Sequence, residues 1–172
     1  MMTSVKRCAA ILVSAGALWS AAASCSPTPK PTNAAPPDAK AMLSKVVARA
    51  KSGDRREAFA EFTARRPPFY DGDHYVVCVD AGGIVVAHGG FPTYVGAASF
   101  FKDVNGRLMA PAILDAAGKG DGSLRYAIQD EETNHAVEHK IGLFARIGDD
   151  VCGVVGRDRE APHEANHAND GK

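Results

Sequence analysis

Apolar residues along this chain follow helical spacing first and strand-like runs afterwards. Ala39, Met42, Val46 and Ala50 recur three to four positions apart, the spacing of one helix face. Asp38 precedes them and predicts an N-cap. Ser52-Gly53-Asp54 interrupts the pattern, and Asp54 can cap a second stretch whose apolar stripe is Ala58, Phe59 and Phe62. Pro67 and Pro68 end it, because proline lacks the N–H a helix needs and restricts the residue before it.

Strand signals follow. Residues 73–80, DHYVVCVD, are β-branched and apolar; Ala81-Gly82-Gly83 is a turn; residues 83–88, GIVVAH, form a second run. The pair predicts a hairpin. Residues 89–104 form a connection with Pro92 and Gly96. Residues 105–120 predict a short helix with Leu108, Ile113 and Ala117 facing inward and Gly118 or Gly120 at its end. Pro111 there suits a first turn better than an interior. SLRYAI at 123–128, AVEHKIGLFARI at 136–147 and DDVCGVVG at 149–156 predict three further strands. This order implies an α+β fold: an antiparallel five-stranded sheet with a long N-terminal helix and a helical insert on one side.

The first residues carry a different pattern. Lys6 and Arg7 are followed by an apolar stretch from Cys8 to Trp19, then by Ala21-Ala22-Ala23-Ser24 and Cys25. A basic start, a short apolar run and small residues are the order of a secretory signal. The run falls short of the roughly 20 residues a membrane span needs. Residues 1–24 are therefore expected to be a signal peptide of lipoprotein type, with Cys25 as the lipid-bearing residue. Ala22 departs from the Leu or Val usual three residues before such a cysteine, and simple cleavage after Ala23 is the alternative. Residues 25–37 are rich in proline and small polar residues, which favours an extended tether. Residues 38–158 match the size of one domain, and residues 159–172 read as a disordered polar tail. Lys and Arg number 20, as do Asp and Glu, so the chain carries no nucleic-acid footprint.

The chain offers little catalytic chemistry. His163-Glu164-Ala165-Asn166-His167 spells H-E-x-x-H, but its flanks are polar and the helix that a zinc site needs is not indicated. His135 and His139 could pair on a helix, yet their neighbours read as strand. Asp149-Asp150 and Asp130-Glu131-Glu132 read as solvated turn charges. G-x-S-x-G, P-loop and dinucleotide motifs are missing from the sequence. No cofactor, no metal and no enzyme activity are expected. Lys140 shares a strand face with Gly142 and Phe144. That lysine can be a fixed charge beside a small gap or an ordinary solvated side chain.

Taken in order, these segments resemble a single Cache domain of the second type, an extracellular sensor module related in fold to PAS domains. The matching text is AFAEF at 58–62, HYVVCVDAGGIVVAH at 74–88, FPTYVG at 91–96, DVNGRLM at 103–109, GDGSLRY at 120–126, Lys140, and GVVG at 153–156. Phe91 replaces the family's usual Asn, and Ile128 stands where an aromatic residue usually follows Tyr126. Both lie beside the expected pocket, so no ligand identity is carried over. The resemblance implies a binding module for a small organic anion such as a carboxylate. Lys140 would be its counter-ion. By their chemistry, Tyr126 could donate to the same anion or be an ordinary half-buried strand tyrosine, and His88 could donate to it. His88 fastening the following loop is the alternative. In the resembling fold the strands of Cys78 and Cys152 are adjacent, and an oxidising compartment would permit a bridge; two buried thiols are the other outcome. Such domains usually sit in membrane receptors. Here the expectation is a periplasmic or surface protein held by its lipid alone, which signals through a separate membrane receptor or kinase. A ligand-free adaptor domain is the competing reading.

Overall fold

The computed structural model describes residues 37–97, 101–120, 122–129 and 137–161. The expected leader, Cys25, His135, His163 and His167 lie outside the described residues.

Two helices open the fold, α1 (Pro37–Lys51) and α2 (Arg55–Thr63). The break falls at Ser52-Gly53-Asp54, as the pattern predicts. The Asp54 carboxylate accepts the backbone N–H groups of Arg56 at 2.7 Å and Glu57 at 3.3 Å, donors that a helix start leaves unmatched. Asp38 is not a cap: α1 begins one residue earlier, at Pro37, and Asp38 lies in its first turn. A negative charge there still suits the helix dipole. Arg49 of α1 holds α2 through Glu61, donating from Nε at 2.9 Å and from Nη2 at 2.6 Å.

The hairpin of β1 (His74–Val79) and β2 (Val85–His88) follows. A connection with a short 3-10 turn at Pro92–Tyr94 leads to α3 (Met109–Ala116). Three strands complete the chain: β3 (Ser123–Gln129), β4 (Val137–Ile147) and β5 (Asp150–Arg157). Together they form one five-stranded antiparallel sheet in the order β2-β1-β5-β4-β3. Helix α3 is shorter than the predicted 105–120. Pro111 sits in its first turn, where an N–H would have no intrahelical partner. No helix among the described residues is long and apolar enough to cross a membrane.

The sheet is covered on both sides. Val76 and Cys78 of β1, with Val154 of β5, pack under α1 and α2 against Val46 and Phe62. Tyr75, Val77 and Val79 point the other way with Val151 and Val155, toward Met109 and Ile113 of α3. The long helix and the helical insert therefore take opposite faces, because a strand that is apolar on both faces needs cover on both. Phe62 and Ile113 are fully buried, and each such side chain stabilises the fold by about 1.5–3 kcal/mol.

In the β1–β5 register Cys78 stands opposite Cys152. The two are joined by a disulfide with Cα atoms 4.1 Å apart, at a sequence separation of 74 residues. Closing a loop of that length in the unfolded chain favours the folded state by about 4 kcal/mol in the chain-entropy picture.

Candidate functional site

The face covered by α3 gathers the polar groups of interest. Lys140 on β4 pairs in register with Tyr126 on β3 and with Arg157 on β5. Side chains directly opposite on an antiparallel pair share a face, and Tyr126 belongs to the cluster beneath α3. Lys140 is only 8% exposed. Its Nζ lies 2.5 Å from Glu138 Oε2 and 5.9 Å from the centre of the Tyr75 ring. A lysine is seldom this buried without a partner, and Glu138 supplies it. The same carboxylate also accepts from Arg157 Nη2, at 3.2 Å through Oε1.

The two tyrosines are neutral donors. Burial raises the Tyr75 phenol well above its usual range, with further contributions from Tyr126 and Glu138. Burial likewise raises the Tyr126 phenol. Neither ring ionises near neutrality, so each hydroxyl keeps a proton to donate.

His88 closes β2 at the far side of this face. Its Nδ1 accepts the backbone N–H of Phe91 at 2.8 Å, which is the loop-fastening role. An acceptor Nδ1 leaves the proton of the neutral ring on Nε2. Burial, with the nearby Lys140 adding to it, lowers the imidazole pKa to about 3, so the ring is uncharged. It is 1% exposed, stacked on Tyr75 with ring centres 5.4 Å apart. Tyr94 and Phe101 meet it edge-on at 5.4 and 5.5 Å.

The gap expected beside Gly142 is filled. The Phe144 ring lies over Gly142 and Gly153, and a Cβ at either position would collide with it. The aromatic side chain folds back across its own strand and the neighbouring one instead of bounding an opening. Among the described residues, surface grooves lie elsewhere. One of about 710 Å³ runs between α3 and β3 past Arg107, Pro111 and Leu124. Another, about 510 Å³, runs along α2 past Phe59, Thr63 and Val95. Neither is lined by Lys140, Tyr126 or His88.

The three expected binding residues thus share one face. The residues that the sequence reading omitted are Glu138, Arg157, Tyr75 and Tyr94. Glu138 was within reach of strand alternation, since it stands two before Lys140. Tyr75 was not, because β1 is apolar on both faces. Among the described residues, no three His, Cys, Asp or Glu side chains come together to hold a metal. The face thus holds a buried cation, a shared carboxylate and neutral hydroxyl and imidazole donors.

Comparison with known proteins agrees with the fold. The family model for single Cache domain 2 matches residues 37–147, which span α1 through β4. No curated protein matches the chain. Among solved structures, it is similar to a methyl-accepting chemotaxis protein from Vibrio parahaemolyticus. The identity is 26% and the TM-score 0.57, covering 70% of this chain and 86% of that one. A periplasmic sensor domain of a chemotaxis protein matches at 22% identity and TM-score 0.49, covering 69% and 87% of the two chains. A Cache chemosensory domain described for carboxylic acid recognition matches at 19% identity and TM-score 0.49, covering 69% and 85%. With its α+β architecture and a family match over most of its length, the chain belongs to the single Cache domain 2 family.

Proposed function

We propose that the domain is an exported sensory module that binds a small organic anion against Lys140 and passes occupancy to a separate membrane partner. One observation carries the reading. Lys140 and Arg157 are two cations sharing one carboxylate, Glu138, beside an uncharged His88 and two neutral phenols. Among the described residues, these three charged side chains carry one surplus positive charge, partly desolvated, and an anion is attracted there more strongly than in water. Tyr126 would donate to that anion. His88 has one nitrogen committed to Phe91 and would donate through Nε2. Membership of a sensory family and likeness to a chemotaxis protein support recognition over catalysis.

Thermal-shift and calorimetric titration of the purified protein with small carboxylates tests the site. The expected result is stabilisation by at least one of them and its loss in Lys140→Ala. Stabilisation by none, or equal binding by the variant, would overturn the assignment.

We also infer export through residues 1–24 and retention at a membrane by lipid on Cys25, with residues 25–37 as tether, 38–158 as the domain and 159–172 as a polar tail. The signal pattern in the sequence supports this. Mass spectrometry of the mature N-terminus distinguishes acylated Cys25 from a chain that begins at Ser24.

A second reading has its own observation. Phe144 fills the gap beside Gly142, and Lys140 already has an internal carboxylate. Both suit an adaptor domain that binds a membrane protein rather than a metabolite. Pull-down of a membrane receptor or kinase by the protein, with no response to any small anion, would favour it.

A further inference from the structure

Glu138 and Lys140 lie on the same face of β4, with Glu138 Oε2 2.5 Å from the lysine Nζ. A carboxylate, that of Glu138, already sits against Lys140. Its side chain is 18% exposed and that of Lys140 10%, against 67% for Arg157. The inner partner of Glu138 is therefore desolvated and the outer one wet. Carboxylate and ammonium attract most strongly where water is scarce, so Glu138 is held inward against Lys140. A second cation is already in contact, since Arg157 reaches Glu138 Oε1 at 3.2 Å.

Resting on the anion-binding reading above, we propose that Glu138 is a built-in competitor. An anionic ligand must displace its carboxylate from Lys140, and Arg157 receives the displaced group. The exchange breaks the Glu138–Lys140 pair and forms a ligand–Lys140 pair, while the contact of Glu138 with Arg157 is kept, so no charge is left buried alone, the outcome that would cost most. Affinity is then set by the difference between ligand and Glu138 on Lys140. Weakly basic or poorly fitting anions lose to the internal carboxylate, so Glu138 acts as a specificity filter. Glu138 and Arg157 are positioning residues in this scheme, and they act with opposite sign.

The test is titration of the full purified protein and three variants with acetate, propionate and lactate, read by calorimetry. Glu138→Gln keeps the shape and removes the charge. It should bind the best of these anions roughly three- to tenfold more tightly than wild type. Arg157→Gln removes the group that receives Glu138 and should bind a few-fold more weakly. In Glu138→Gln/Arg157→Gln the weakening should vanish, since no carboxylate is left to be received. A purely structural role for Arg157 would persist in the double variant. Thermal unfolding without ligand confirms that each variant folds. Binding lost in Lys140→Ala but unchanged or weakened in Glu138→Gln would overturn the competitor alone. Absence of binding in wild type and in Glu138→Gln would overturn both it and the anion site.

Discussion

The imidazole of His88 accepts the backbone N–H of Phe91 at 2.8 Å across Gly89-Gly90. A buried side chain at the end of β2 thereby sets the direction in which the insert leaves the sheet. The bond satisfies a backbone donor that would otherwise be stranded at the edge of the aromatic cluster.

Removing this acceptor should be costly. His88→Phe keeps an aromatic ring but leaves the Phe91 N–H without its partner, and the expected loss is about 1–3 kcal/mol in urea unfolding. An unchanged midpoint would mean that the loop does not depend on the bond.

The same histidine should make stability depend on pH. The imidazole pKa is about 3 in the folded protein and about 6.5 in an unfolded chain. Between those values the unfolded chain holds the proton and the folded one does not. Stability is therefore full above about pH 6.5 and falls as pH drops toward 3, with a slope approaching about 1.4 kcal/mol per pH unit. Unfolding at pH 7 and pH 5 should show a larger loss for wild type than for His88→Phe. Equal losses would place the dependence on other groups.

The disulfide should be worth several kcal/mol. Reduction, or the pair Cys78→Ala and Cys152→Ala, should lower stability by about 2–4 kcal/mol. Urea midpoints with and without reductant measure this, and identical midpoints would count against a stabilising bridge.

Asp54 should be a measurable cap. Asp54→Ala loses the acceptor for the N–H groups of Arg56 and Glu57, at a cost of about 1 kcal/mol. Asp54→Asn should recover most of it, and failure to do so would point to the charge rather than the cap.

The Phe144 ring leaves no room for side chains beneath it. Gly153→Ala would press a Cβ against that ring and to within 2.7 Å of the Leu143 carbonyl oxygen, an overpacking expected to cost about 1–3 kcal/mol. A chemical-denaturation midpoint equal to that of wild type would show that the ring can move aside.

The sequence by itself determined the elements. The break at Ser52-Gly53-Asp54, the hairpin at Ala81-Gly82-Gly83 and the three later strands follow from local forces, since caps, turns and side-chain period act within a few residues. It also placed Lys140 and Tyr126 on strands. Tertiary structure decided the rest. Residues 75–79 are apolar on both faces, so nothing local says which face lies under α1 and which under α3. The collapse of Phe144 onto Gly142 and Gly153 depends on β5 lying beside β4, and β5 is also what brings Arg157 to Glu138. The period of β4 put Glu138 beside Lys140. That the carboxylate is shared between two cations required the register of a neighbouring strand, because electrostatic pairing depends on distances in space that sequence spacing alone does not contain.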